Sequence, residues 1–405
     1  MNILIISPYV PWPLTTGGNA AVFATLKCLA DMHQFTFICP TYTSEDEVAI
    51  NELKKRLPQV KFKAVLCRSG LEQKARKTLQ FINRSLSLSK NQPALFYPFE
   101  PLHPAFVAAI SGEILNSPDL IQLEFAYMLT LAPWLPKNIP KLFVHHQVQF
   151  IYNQRAQEHQ PSNPNDKYLA ALMLQQEISL LQNFDGVITF SPEDKAALEQ
   201  RITPSVFLSP FPVPVDLGHS KGDGTFKNKF VFLASSNHYP NLDAMAFLHS
   251  QIWPVIKQKL PEVKLYVVGN WSRKARQPYK DPNIIFTGFQ PDLSETMKDG
   301  ILLVPLRIGS GIRVKILAGL ACGTPIVSTT IGSEGLPLSH GSDILVADNA
   351  IQFAHAAIRL AQDVALRQTL STNGQKVIKQ HYSAEAVSLQ RNLIYQTLTN
   401  PLPDK

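Results

Sequence analysis

Four cysteines in 405 residues are too few and too scattered for a disulfide framework. Cys28, Cys39, Cys67 and Cys322 show no metal-type spacing and read as small buried hydrophobes in a reducing compartment. Charge is sparse as well. Charged residues make up 17% of the chain against 45% hydrophobic, which excludes a disordered polypeptide. The net charge of +7 comes from 38 Lys+Arg against 31 Asp+Glu. That excess is not gathered into dense basic blocks, so no nucleic-acid partner is expected, whereas an anionic ligand or an acidic membrane surface suits it. No apolar run approaches the ~20 residues needed to span a bilayer. The opening MNILIISPYVPWP lacks a basic n-region and meets prolines at once. It is expected to form a first strand rather than a signal peptide, and the chain is expected to be cytoplasmic.

Several chemistries lack their motifs. There is no GxSxG elbow, no HExxH zinc site and no GxxxxGK phosphate loop. No Asp-x-Asp pair is present to hold a divalent cation against a diphosphate. No metal and no bound cofactor is therefore expected, and phosphate charge would have to be met by the chain itself.

What is present centres on residues 301–330, ILLVPLRIGSGIRVKILAGLACGTPIVSTT, which reads as strand, glycine loop, helix, strand. Gly309, Ser310 and Gly311 carry little side-chain bulk, so a ligand can approach their backbone closely. The helix is expected over 312–322, with Gly323 at its C′ position and Pro325 beyond it. Arg313 and Lys315 fall in its first turn, and no acid lies between Ile312 and Cys322. A helix start carries partial positive charge, so two cations there make sense if an anion binds between the loop amides and one of them. Residues two apart do not share a helix face, and Lys315 is the stronger candidate for the anion. A tight strand-to-helix turn with two solvated bases fits the same residues.

The rest of the chain places this unit in an α/β protein. Length suggests two domains of about 200 residues. Asn2–Ser7 is an apolar strand, and Gly17 and Gly18 lie in the loop between it and a helix. Strands at 35–39, 119–123, 141–146 and 186–190 follow, in the order of a parallel sheet. Ligands bind at the carboxyl ends of such strands, where Glu124, His145 and His146 stand. Adjacent strand residues point to opposite faces, so at most one histidine faces the site, and His146 is the candidate. Ser191, with Pro192, Glu193 and Asp194 behind it, is a good helix start. A proline-rich stretch at 203–216 sets a domain boundary near Val215. The α/β pattern then restarts, with strands at 229–235, 264–270, 284–289, 301–306, 325–330 and 343–347, and Asn241 is expected to cap a helix. The two doubly wound sheets are expected to face each other across a cleft. Residues 71–90, LEQKARKTLQFINRSLSLSK, combine five bases and one acid with apolar residues at helical spacing. A basic amphipathic helix on an anionic membrane and a surface helix packed on its own domain both fit that pattern.

These segments, in their order, resemble the group 1, or family 4, glycosyltransferases of the GT-B fold. The carriers are ISPYVPWPLTTGGNA at 6–20, DLIQLEFAYM at 119–128, FVHHQVQF at 143–150, DGVITFSPEDKAAL at 185–198, YPNLDAMAFL at 239–248, IIFTGFQPDL at 284–293 and GSGIRVKILAGLACGTPIVSTTIGSEGL at 309–336. The resemblance implies a retaining, metal-independent transferase that moves a sugar from a nucleotide-sugar donor to a glycan or lipid-linked acceptor. It implies an acceptor domain over 1–215, a donor domain over 216–383, and a C-terminal helix near 384–405 that crosses back onto the first. Gly17 and Gly18 would reach the donor phosphate or sugar, Gly309, Ser310, Gly311 and Lys315 would hold the diphosphate and sugar, and Gly288 and Phe289 would line the base pocket. His146 matches the position beside the sugar, and Asn237 is a polar candidate in the loop after the first strand of the second half.

One position departs from the family pattern. The family usually carries two glutamates eight residues apart in the last motif, where this chain has Ser310 and Ala318. The second normally accepts hydrogen bonds from the donor ribose, and its loss would cost roughly 1.5–3 kcal/mol. Glu334 is the candidate to compensate. Ala318 favours a rival reading, a nucleotide-sugar-binding partner protein without transfer activity. A sugar-nucleotide epimerase of the same fold would need paired acid/base carboxylates, and no well-placed pair is found. If residues 71–90 dock on lipid, changing Lys74, Arg76, Lys77 and Arg84 to Glu abolishes cosedimentation with anionic vesicles, and unchanged cosedimentation assigns the segment to its own domain.

Overall fold

A computed structural model describes residues 1–67, 101–158, 164–213, 225–290 and 292–400. The basic segment 71–90 and the expected boundary at Val215 lie outside them. The chain divides into two compact units, Met1–Ser209 with Ser388–Lys405, and Pro210–Val387. The helix Ala384–Thr399 starts in the second and ends in the first.

The first unit holds a parallel sheet of seven described strands: β1 (Asn2–Ile6), β2 (Gln34–Thr41), β3 (Lys61–Leu66), β4 (Leu120–Glu124), β5 (Lys141–His145), β6 (Gly186–Thr189) and β7 (Ser205–Leu208). Their order is β3-β2-β1-β4-β5-β6-β7. The second unit holds β8 (Lys229–Leu233), β9 (Lys264–Val268), β10 (Ile284–Gly288), β11 (Ile301–Val304), β12 (Ile326–Ser328) and β13 (Leu345–Val346). Their order is β10-β9-β8-β11-β12-β13, again parallel throughout. The central strands are apolar along most of their length because helices cover both faces, as in parallel sheets generally. Phe143, Leu123 and Val187 lie in the first core, and Phe230, Phe232 and Leu302 in the second, all fully buried.

In each sheet the strand order reverses once, between β1 and β4 and between β8 and β11. The crevice outside the carboxyl ends of such a strand pair is where open α/β sheets bind ligands. The segments after β1 and β4 contain Gly17, Gly18 and Glu124. Those after β8 and β11 contain Asn237 and the 309–315 loop.

Some boundaries differ from expectation. Gly17 and Gly18 open the helix Gly17–Leu29 instead of preceding it, because Thr16 caps it and accepts from Asn19 N at 3.1 Å. The helix Tyr239–Phe247 starts ahead of Asn241, with His238 at the N-cap and Pro240 in its first turn, so Asn241 lies inside it and is buried. The helix after the glycine loop is Val314–Ala321, with Arg313 at the N-cap. Gly323 takes φ +68° just past Cys322, the left-handed conformation expected at C′. Ser191 caps its helix by accepting from Asp194 N at 3.1 Å.

Gly319 sets how closely helix Val314–Ala321 approaches its sheet. A Cβ there would stand 2.7 Å from Leu302 Cδ2 on β11 and 3.1 Å from Ile326 Cδ1 on β12. A larger side chain must push the helix outward. Gly319→Leu is expected to destabilise the protein by about 1–3 kcal/mol through overpacking, read as a lower urea midpoint.

Candidate active site

The first cluster forms where β4 and β5 stop. Glu124 ends β4 and is buried. Its Oε1 accepts from Gln122 Nε2 at 2.5 Å, and its Oε2 lies 2.6 Å from His146 Nε2. The next residue, Phe125, takes φ +67°, a left-handed value that turns its ring back over the strand end. That ring stacks on the His146 imidazole with centroids 3.8 Å apart and an interplanar angle of 15°, and it packs against Tyr9 at 4.7 Å. A Cβ on Gly18 would sit 2.7 Å from the same ring. The space left by Gly18 is therefore filled by Phe125, which in turn holds His146. Burial, with Tyr127 and Glu124 nearby, pushes the Tyr9 hydroxyl far up, so it stays protonated.

His145 points the other way, as strand alternation requires. Its Nε2 lies 2.8 Å from Glu177 Oε1, and Glu177 also accepts from Gln149 N and Phe150 N at 3.0 and 2.9 Å. That carboxylate closes the start of helix Gln149–Glu158, so His145 belongs to the packing and His146 to the site.

The second cluster forms where β8 and β11 stop. Gly309 and Gly311 take φ +138° and +73°, conformations that glycine adopts without strain. A Cβ on Gly309 would meet Arg313 Nη2 at 2.7 Å. Arg313 curls back onto the loop and donates to Ser310 O, to Gly311 O at 2.8 Å and to Ile331 O at 3.4 Å. It is buried, as are Gly309, Ser310 and Gly311. Arg313 thus braces the loop by its carbonyls. Arg307 is paired with Asp243 through two bonds at 3.0 and 2.6 Å, which ties the start of the loop to helix Tyr239–Phe247.

Lys315 has no carboxylate partner among the described residues. Its half-buried ammonium donates to Asn241 Oδ1 at 2.9 Å and lies 5.6 Å from the centroid of the Phe232 ring. Asn241 is held in that orientation because its Nδ2 donates to Ser235 O at 3.0 Å. Desolvation, and then the Arg313 cation, pushes Lys315 down to about 7. His238, exposed as a residue, is pushed down to about 4 by desolvation of its ring and by the Lys315 and Arg313 cations. Arg313 and Lys315 thus place two cations side by side, and among the described residues no carboxylate pairs with Lys315.

The other expected positions of the second unit stand as follows. Asn237 is exposed in the loop after β8. Gly288 ends β10 at φ +74° and accepts from Gly269 N at 2.8 Å, with Phe289 beside it 44% exposed. Glu334 is half-buried at the end of the short helix Thr330–Ser333 that follows β12. Ala318 is 2% exposed and packs in the core. Reasoning from sequence missed Asn241 as the partner of Lys315 and Phe125 as the link between Gly18 and His146. Glu124 was visible as a polar strand end, but its bond to His146 was not.

Residues 227–363 match the family model described as glycosyl transferases group 1. The chain carries a group 1 glycosyltransferase domain. Its whole length is similar to an uncharacterised 44.6 kDa protein in the cps region of Klebsiella pneumoniae, 21% identical over 400 residues, covering 95% of this chain and 97% of that one. Among solved structures, sucrose-phosphate synthase from Thermosynechococcus elongatus aligns with TM-score 0.73 at 18% identity, over 98% of both chains. Anabaena Alr3699/HepE in complex with UDP aligns with TM-score 0.65 at 14% identity, over 98% of this chain and 100% of that one. The fold is GT-B, and the matched domain is that of the group 1 glycosyltransferases.

The Lys315 environment would make the binding of an anion there pH-dependent. A diphosphate bound by Lys315 would favour the ammonium form, so above pH 7 binding would take up a proton that the free protein has lost. Affinity for a nucleoside diphosphate is expected to fall from pH 7 to pH 9, by at most about tenfold per pH unit. Calorimetry in buffers of different ionisation enthalpy should register the proton uptake, and Lys315→Met should flatten the slope.

Proposed function

We propose that the enzyme transfers a sugar, with retention at the anomeric carbon, from a nucleotide-sugar donor to a glycan or lipid-linked acceptor in polysaccharide or cell-surface glycan biosynthesis. The second unit takes the donor and the first takes the acceptor. The observation that carries this reading is the Lys315 ammonium, held by Asn241 at the start of an acid-free helix beside the Gly309–Gly311 loop. An unneutralised cation, loop amides and a helix start together suit a diphosphate. The relative from a cps region supports the polysaccharide context.

In the reaction, the acceptor hydroxyl oxygen bonds to the anomeric carbon while the bond from that carbon to the diphosphate breaks. The hydroxyl proton passes to the departing diphosphate. Lys315 and the amides of Gly309, Ser310 and Gly311 stabilise the negative charge that develops there, in place of a divalent metal. Gly288 and Phe289 border the base, Asn237 and Glu334 contribute polar contacts to the donor, and His146 meets a sugar hydroxyl. The same reading puts the enzyme in the cytoplasm, at the inner face of the membrane. No helix among the described residues is long and apolar enough to cross a bilayer.

Ala318 favours a second reading, a protein that binds nucleotide sugars without transferring them. Its buried methyl group has no acceptor atom to offer a ribose. A panel of nucleotide sugars incubated with cell-envelope lipid separates the two, since transfer releases free nucleoside diphosphate and binding alone does not. Transfer is expected, undiminished by chelator. Lys315→Ala should lower kcat by about a hundred- to a thousandfold, the usual effect of removing one transition-state charge contact. Activity lost to chelator and restored by magnesium would overturn the metal-independent part.

A further inference from the structure

The polar groups behind His146 form a directional chain that starts far from it. Arg391, on the helix Ala384–Thr399, is 1% exposed and donates through Nε to Ser209 Oγ at 3.0 Å and through Nη2 to Ser209 O at 3.2 Å. One turn along the same helix, the hydroxyl of Tyr395 donates to Gln122 Oε1 at 2.7 Å, inside the fully buried interior of the first unit. With its carbonyl so engaged, Gln122 turns its amide protons toward Glu124 and donates to Oε1 at 2.5 Å. Only Glu124 Oε2 remains to face His146 Nε2, at 2.6 Å. Each group leaves the next a single role.

We infer that this chain fixes His146 in the tautomer with its proton on Nε2, leaving Nδ1 as a hydrogen-bond acceptor for a hydroxyl of the sugar substrate. Glu124, Gln122 and Tyr395 are positioning residues that act through the imidazole. Phe125 stacked on one face holds the ring plane, so both the tautomer and the direction of the Nδ1 lone pair are set before substrate arrives. An Nδ1 acceptor suits a hydroxyl that gives up hydrogen-bond density as it reacts or is oriented. An Nδ1 donor would suit a carbonyl or phosphate oxygen instead. The inference rests on the proposed role of His146 at a sugar, but the tautomer itself is measured without substrate or turnover, so the two fail separately.

Nitrogen-15 spectra of the full chain labelled at histidine distinguish a protonated from an unprotonated ring nitrogen, with His146→Gln locating the signals. Near neutral pH, wild type is expected to show His146 protonated at Nε2 and bare at Nδ1. Protonation at Nδ1 alone, or at both nitrogens, overturns the inference. Glu124→Gln gives the stronger contrast. Gln122 would still donate to the new amide carbonyl, which turns the new NH2 toward His146 Nε2 and forces the proton to Nδ1. The signals should then exchange while the folded spectrum elsewhere persists. Tyr395→Phe alone leaves Glu124 Oε2 an acceptor and should keep the wild-type tautomer, but combined with Glu124→Gln it frees both amides to flip and should populate both tautomers, and a double variant whose His146 spectrum matches that of Glu124→Gln overturns the relay. In an assay with a competent donor and acceptor, Glu124→Gln should lower kcat at least tenfold with little change in donor KM, whereas a merely structural Glu124 would lower the active fraction and leave kcat per folded enzyme unchanged.

Discussion

A strand covered by helices on both faces cannot carry a bare charge along its length, because desolvating it costs several kcal/mol with nothing in return. Polar chemistry therefore accumulates where the strand stops. In the first unit β4 is LIQLE, buried throughout, and its two polar residues are Gln122 and Glu124. Each survives burial because it is hydrogen-bonded, in a chain that runs from Tyr395 through Gln122 to Glu124 and His146. In the second unit β11 is apolar through its length and β12 turns polar only at its last residue, Ser328, and the cations appear only past the end of β11. The two clusters answer the same constraint in opposite ways. The first closes a network until one ring nitrogen is left over, and the second leaves a cation without its anion.

Much of this architecture was legible in the residues because parallel strands announce themselves as short apolar runs. Each described strand of the second sheet fell within an expected segment. Strand alternation also separated His145 from His146 before any coordinates. What was not legible depended on contacts between segments far apart in the chain. Asn241 looked like a helix cap because Asn with Asp243 two residues on is a familiar local start. The helix instead starts at Tyr239, with Pro240 in its first turn, and Asn241 lies inside it and meets Lys315. Gly18 looked like a loop residue with freedom to turn. Its helix begins at Gly17, and the missing side chain serves the Phe125 ring, which nothing near Gly18 in the chain could signal. Phe125 itself gave no sign, since a left-handed backbone at a phenylalanine is set by its surroundings and not by its own preference. Arg313 was expected among the donor ligands, and its contacts instead run to the carbonyls of its own loop, a local effect that side-chain length permits and composition cannot reveal.

Ala318 bears on how the proposed donor site divides its labour. A glutamate at that position would follow Lys315 by three residues, close enough on a helix to share its charge. It would hold Lys315 protonated and would spend part of the ammonium's field inside the protein. With alanine there, the nearest described polar partner of Lys315 is the neutral Asn241, and burial next to Arg313 leaves its proton loosely held near pH 7. The ribose loses a charged acceptor, at about 1.5–3 kcal/mol. The diphosphate gains a cation that no internal carboxylate has already neutralised, and an interaction of that kind grows as the charge on the leaving group grows. Under the transferase reading, ground-state affinity would be weakened at one end of the donor while stabilisation of the departing diphosphate would be kept at the other, and without a transfer step the same alanine would leave only the weaker binding.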